Sequence, residues 1–210
     1  MKSIRPLFSL LLLVLVLVTS CAAPTPTPAP AVPTQAPVQS PGDTEATAPL
    51  SEVTPAATRP PFGTFTAPGI EGKDYTEALF QNADLTMVNI WGTFCGPCIE
   101  EMPYLGEIAA EYKERGFQIV GIVVDAASRS GDYDKDVVSA AFDIIEQTGA
   151  DYIHLLPSED LINIKLNQVQ YIPETVFVDK NGGIVGKSII GGKSKEDWKK
   201  TIDAYLALAQ

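Results

Sequence analysis

Two near-continuous apolar runs, Leu85 to Trp91 and Phe117 to Val124, enclose a segment whose apolar residues return at Cys98, Met102, Leu105, Ala109 and Tyr112. Such runs suit strands buried on both faces, and the three-to-four-residue spacing suits an amphipathic helix between them. The stretch therefore predicts a β-α-β unit of a parallel sheet. The helix opens on Cys95-Gly96-Pro97-Cys98, at the carboxyl end of the first strand, where open α/β sheets place their active sites. Pro97 is tolerated because the first helical turn has no use for the N–H it lacks. Pro103 predicts a kink, and Arg115-Gly116 the end of the helix.

Cys95 at the helix start meets unpaired backbone N–H groups and the positive end of the helix dipole, both of which favour thiolate over thiol. It is the expected nucleophile. Cys98, one turn further in and on the inner face, is placed to attack a mixed disulfide formed on Cys95. A structural zinc site would use such a pair as half of its ligands, but the rest of the chain offers only Cys21 and one histidine, His154. No metal and no cofactor is expected. His154, within Tyr152-Ile153-His154-Leu155-Leu156, reads as an ordinary strand residue rather than a base.

The 210 residues divide unequally. Lys2 and Arg5 precede the apolar run Leu7 to Val18, which is too short to span a bilayer comfortably and fits the core of a signal peptide, so residues 1–20 read as a leader and the protein as exported. Val18-Thr19-Ser20-Cys21 resembles the lipobox of bacterial lipoproteins, in which the cysteine is lipidated and becomes the mature N-terminus. An ordinary cleavage site would leave an odd reactive thiol in an oxidising compartment. Residues 21–61 read as a Pro/Thr/Ala-rich tether, with 11 prolines between Ala22 and Pro61 and too little apolar surface to offset the entropy of ordering. At ~3.1 Å per residue its contour approaches ~120 Å. Residues 1 to 60 hold three basic and three acidic side chains, so the net charge of −11 belongs to the remainder. That acidity argues against nucleic acid as a partner and against electrostatic docking on anionic lipid, which leaves a lipid chain as the expected membrane attachment.

Residues 62–210 are expected to form one domain. Phe62 to Thr66 and Lys73 to Tyr75 read as short edge strands, and Thr76 to Phe80 as a helical turn. Ala126 to Asp136 reads as a loop, followed by a helix through Val137, Ala141, Ile144 and Ile145 that ends near Gly149. A short strand at Tyr152 to Leu155 and a helix around Ser158 to Leu166 follow. Thr175 to Val178 and Ile184 to Ile189 flank Asp179-Lys180-Asn181-Gly182-Gly183, whose Asn-Gly marks a hairpin and gives the sheet an antiparallel side. Ser194 with Asp197 resembles a capping box for a last helix packing through Trp198, Ile202, Tyr205 and Leu206.

With strand, C-G-P-C helix, strand, helix, hairpin and helix in this order, the chain resembles the thioredoxin superfamily from Phe62 onward. Val88 to Cys98 with Glu101-Met102-Pro103, the preceding Phe65-Thr66-Ala67-Pro68 and the helix-bearing insertion near 126–150 are similar to the TlpA/ResA type of membrane-anchored extracytoplasmic protein. The resemblance implies an α/β, thioredoxin-like fold: a central mixed sheet, flanking helices and a helical insertion. It also implies a disulfide reductant of exported client proteins, with apocytochrome c and a methionine sulfoxide reductase among the clients it could serve. Such a protein would be fed by a separate membrane electron donor and would work as a monomer. Tyr171-Ile172-Pro173-Glu174-Thr175 matches the segment whose proline is cis and faces the dithiol, which would leave the backbone of Ile172 free to pair with an extended substrate. Where thioredoxin has a buried aspartate six residues before the first cysteine, this chain has Asn89, which cannot titrate. The resemblance offers Glu101 as the replacement acid and, on weaker similarity, Glu174, whereas Glu100 and Glu101 can also be read as two exposed acids near a helix N-terminus. Trp91 is expected to shield the thiols. A thiol peroxidase shares this fold, but Asn89 to Phe94 carries Thr93 without the proline of a peroxide pocket. A copper-binding module would need a further soft ligand near Cys95, and only His154 and a few methionines are available.

Overall fold

The computed structural model describes residues 61–127 and 132–209. The leader, Cys21 and the tether up to residue 60 lie outside the described residues, as does the middle of the loop expected between Ala126 and Asp136.

Five strands form the central sheet: β3 (Leu85–Trp91), β4 (Phe117–Val123), β5 (Ile153–Leu155), β6 (Glu174–Asp179) and β7 (Ile184–Ile190). Their order is β5-β4-β3-β6-β7. β3, β4 and β5 run parallel, whereas β6 is antiparallel to β3 and β7 to β6. This is the mixed sheet expected from sequence, with the hairpin supplying its antiparallel side. β3 is buried along its whole length because it lies at the centre and is covered on both faces. Leu85 and Met87 pack with α1 (Gly96–Tyr112) and α4 (Lys195–Ala209) through Leu105, Ile108, Trp198 and Ile202. Val88 and Ile90 point to the other face, among Phe62, Phe65, Phe80 and Leu161 of α3 (Glu159–Ile164).

The β-α-β unit forms as the apolar pattern requires. α1 runs unbroken through Pro103, continues as a 3-10 turn at Lys113–Arg115 and stops at Gly116, whose φ of 76° is a conformation that favours glycine. α2 (Lys135–Thr148) is capped by the Asp134 carboxylate and closed by Gly149 at φ 65°. Ser158 caps α3 through Leu161 N–H, and Ser194 Oγ accepts from Asp197 N–H at the start of α4.

The first edge strand is displaced from its expected position. Pairing occurs between β1 (Thr66–Pro68) and β2 (Asp74–Thr76), not from Phe62. The apolar alternation at Phe62 and Phe65 instead delivers two rings into the core, where each meets Phe80 edge-on, while Phe62 N–H donates to Gly182 of the hairpin turn. Alternation reports which side of a segment is buried, and a buried side does not require a strand partner.

Candidate active site

The two cysteines stand where α1 begins. Cys95 is the N-cap, with extended backbone, and its Sγ accepts the N–H of Cys98 at 3.3 Å. The two are disulfide-bonded, with Cα atoms 5.3 Å apart. Cys95 is 6% exposed and Cys98 1%, so the capping sulfur is the one an incoming group reaches first. The Gly92–Phe94 turn before them is fastened to the end of β4. Asp125 accepts from Thr93 N–H at 3.1 Å and from Thr93 Oγ1–H at 2.5 Å. Nothing in the sequence flags Asp125, because its partner lies 32 residues away.

The peptide bond between Ile172 and Pro173 is cis, as the resemblance implied. The register of β3 against β6 pairs Ile90 with Glu174, which brings Pro173 alongside Trp91 at the dithiol end of the sheet. Pro173 carbonyl accepts from Gly191 N–H at 2.8 Å, and Ile172 packs on the cluster that contains Trp91, Cys95 and Cys98. Phe94 and Tyr171, 73% and 66% exposed, stand in the two loops that meet here.

Glu101 and Glu174, which sequence offered together, lie on opposite faces of the sheet. Glu101 is buried beneath the dithiol on the α1 side and differs sharply from exposed Glu100. Its carboxylate accepts from Trp198 Nε1–H at 3.0 Å, Asn89 Nδ2–H at 3.1 Å and Lys193 N–H at 3.2 Å. Burial raises its pKa above the ordinary carboxylate value, and the three donors oppose that rise without cancelling it. The reading of Glu101 as an exposed acid is therefore corrected: α4 and the loop before it close over the carboxylate. Glu174 faces the other side, where it forms a buried ion pair with Lys165 Nζ at 2.5 Å. Lys165 lies just past the end of α3, between it and the 3-10 turn Leu166–Gln168, so no local pattern in the sequence predicts the pairing.

His154 lies in β5, as its sequence context predicts, and both of its ring nitrogens have partners. It is buried, its Nδ1 lies 3.1 Å from Trp91 Nε1, and its Nε2 lies 3.0 Å from the Ala150 carbonyl. Burial pushes its pKa down to about 4. Tyr152 stacks on it at 4.4 Å. The hydroxyl of Tyr152 and Oδ1 of Asn89 are buried without a protein partner among the described residues. A glycine inside β4 was the available signal, since a glycine within a strand marks a close approach. Among the described residues, no three His, Cys, Asp or Glu side chains gather to hold a metal ion, and no helix is long and apolar enough to cross a membrane.

A mixed sheet with its β-α-β unit, a Cys-Gly-Pro-Cys helix start and a facing cis-proline loop define a thioredoxin-like fold that carries a dithiol. The chain matches the Redoxin family over residues 55–206 and belongs to it. It is similar to the thiol-disulfide oxidoreductase ResA of Bacillus thuringiensis (strain Al Hakam), 32% identical over 119 residues covering 57% of this chain and 60% of that protein. The ResA of Geobacillus thermodenitrificans (strain NG80-2) is 29% identical over 140 residues, 67% of this chain and 73% of that protein. The matched part thus spans three fifths to three quarters of these relatives. Among solved structures, a thioredoxin-family thiol:disulfide interchange protein from Chlorobium tepidum TLS superposes with a TM-score of 0.59 at 23% identity, covering 70% of this chain and 97% of that one. That similarity shows the fold.

Proposed function

We propose that this protein is an extracytoplasmic thiol-disulfide oxidoreductase that reduces disulfides in exported proteins. The observation that carries the reading is the placement of the thiol pair, with Cys95 capping α1 and Cys98 buried one turn in beside a cis-proline loop and a buried carboxyl group. The relatives named thiol-disulfide oxidoreductase support the class of chemistry.

In the reduced protein the Cys95 thiolate attacks one sulfur of a client disulfide. A Cys95–client bond forms, the client S–S bond breaks, and the first client sulfur leaves as thiolate. Cys98 then loses its proton and attacks Cys95 Sγ, which releases the second client thiolate and leaves the Cys95–Cys98 disulfide. Two electrons pass to the client, and two protons follow to its thiols. Glu101, one turn along the same helix from Cys98, is the acid-base group of the second step, because a carboxyl whose pKa is raised by burial is better matched to a thiol than an ordinary one. Trp91, Ile172, Pro173 and Glu174 form or back the surface on which an extended client segment lies. The backbone of Ile172 pairs with that segment.

The electrons return from a membrane donor. Lipidated Cys21 and the tether of residues 21–61 hold the domain at the outer face of a bacterial membrane, where a monomer can reach clients at a distance. Apocytochrome c before haem attachment and a methionine sulfoxide reductase are the client types to test first. Trapping with Cys98→Ser in the native host should accumulate mixed disulfides through Cys95, and Cys95→Ser should accumulate none; equal trapping by both variants overturns the assignment. Equilibration with dithiothreitol should give a midpoint of roughly −200 to −280 mV, nearer thioredoxin at about −270 mV than an oxidant at about −120 mV. A value near the oxidant would make the protein a disulfide donor instead.

A further inference from the structure

We propose that His154 is a positioning residue of the dithiol, acting through Trp91. Trp91 ends β3 four residues before Cys95, is fully buried and packs in one cluster with both cysteines. Its indole N–H can only donate, so His154 Nδ1 must accept the bond at 3.1 Å, which puts the imidazole proton on Nε2, donating to the Ala150 carbonyl at 3.0 Å. The ring is thereby fixed as one neutral tautomer. The bond crosses three strands. Register places Gly121 of β4 between Asn89 of β3 and His154 of β5, and the indole passes over it. A Cβ at position 121 would overlap Nδ1 of His154 and stand 3.1 Å from Nε1 of Trp91, so the bond exists only because that residue has no side chain.

The other end of the link is equally close-packed. Gly106 of α1 lies so near the Gly149 carbonyl that a Cβ there would overlap it, and Ala150 next in the chain is the residue His154 holds. His154 therefore ties the strand that leads into Cys95 to the turn on which the dithiol helix rests. No residue of the general dithiol pattern requires this histidine, and its sequence context of apolar strand residues gives no sign of it.

The chemical consequence follows from what Trp91 covers. Packed in one buried cluster with both cysteines, the indole limits the water that reaches Cys95, whose thiolate is the charged form of the reduced pair; this disfavours that thiolate and so disfavours the reduced protein relative to the disulfide. Freed from His154, the indole N–H must seek water or another acceptor. Its movement opens Cys95 to solvent, stabilises the Cys95 thiolate and makes the couple more oxidising.

The inference rests on the dithiol reading above. It is tested by equilibrating the full-length protein with dithiothreitol as wild type, H154F, H154N, W91F and the H154F/W91F pair. H154F keeps the ring and removes both nitrogens, whereas H154N retains an oxygen where Nδ1 accepts. H154F and W91F should each raise the midpoint by a tenfold change in the equilibrium constant, about 30 mV for two electrons. The double variant should shift no further than W91F alone, and H154N should recover most of the shift. Simple addition in the double variant, or a midpoint in H154F equal to wild type, overturns the proposal. Should H154F not fold, an H154N midpoint displaced as far as that of W91F does the same. A wild-type pair that cannot be cycled at all would count against the dithiol reading itself, not against His154 alone.

Discussion

At the residue scale, the setting of Glu101 is made by what closes over it. A carboxylate on the second turn of an exposed helix would titrate as any acid does, but Trp198, Lys193 and Asn89 enclose this one and burial raises its pKa. The sign of the resulting stability effect is fixed by linkage. Since the folded protein holds this proton more tightly than the unfolded chain, the stability from this group is full below the ordinary carboxylate range and is lost as pH rises through the raised folded value. E101Q should lose less stability than wild type across that interval, as seen by thermal unfolding of the oxidised protein at several pH values. The same variant should alter the pH–rate profile of insulin disulfide reduction. An unchanged profile would confine Glu101 to a structural part. Asn89 was legible as a departure from the buried aspartate, and Glu101 as its candidate replacement, but the three donors around the carboxylate come from positions 12, 92 and 97 residues away.

Among the elements, the antiparallel edge and the insertion helix do the positioning. β6 enters the sheet through Pro173 and Glu174, and the Glu174 carboxylate is neutralised by Lys165 from the segment just after α3, with side chains 7% and 13% exposed. Removing one partner leaves a buried charge, so K165M should destabilise by about 3–5 kcal/mol, while K165M/E174Q should recover most of the loss because the charge goes with its partner. Urea unfolding measures both. α1 and the end of α2 meet through Gly106 and Gly149 with no space for a methyl group. G106A should accordingly cost about 1–3 kcal/mol, the range for overpacking a tight contact, despite the better helix propensity of alanine. The elements themselves were mostly readable: β3 and α4 fell where periodicity and caps placed them, whereas β1 did not, because Phe62 and Phe65 alternate to fill a core rather than to pair.

For the whole molecule, the expected anchor and the folded domain make separate demands, one on Cys21 and one on the sheet. C21A should shift the protein from the membrane fraction to a soluble or unprocessed form, and the wild type should show the mass of a lipid on Cys21; an unlipidated wild type would remove the anchor from the proposal. The sequence by itself determined the β-α-β unit, the thiol pair at its joint, the helix caps and the hairpin, since each depends on residues within a few positions of one another: period, capping side chain, turn dipeptide. The cis-proline was also legible, through a short motif whose resemblance carried it. What only the tertiary structure decided is everything that needed two distant segments to meet: Glu101 under Trp198, Glu174 against Lys165, Thr93 on Asp125, and His154 beneath Trp91. A local pattern can state that a polar side chain sits on a buried face, but its partner is chosen by strand order and helix packing. The hydrogen bond from Trp91 to His154 exists because β4, with Gly121, happens to run between them.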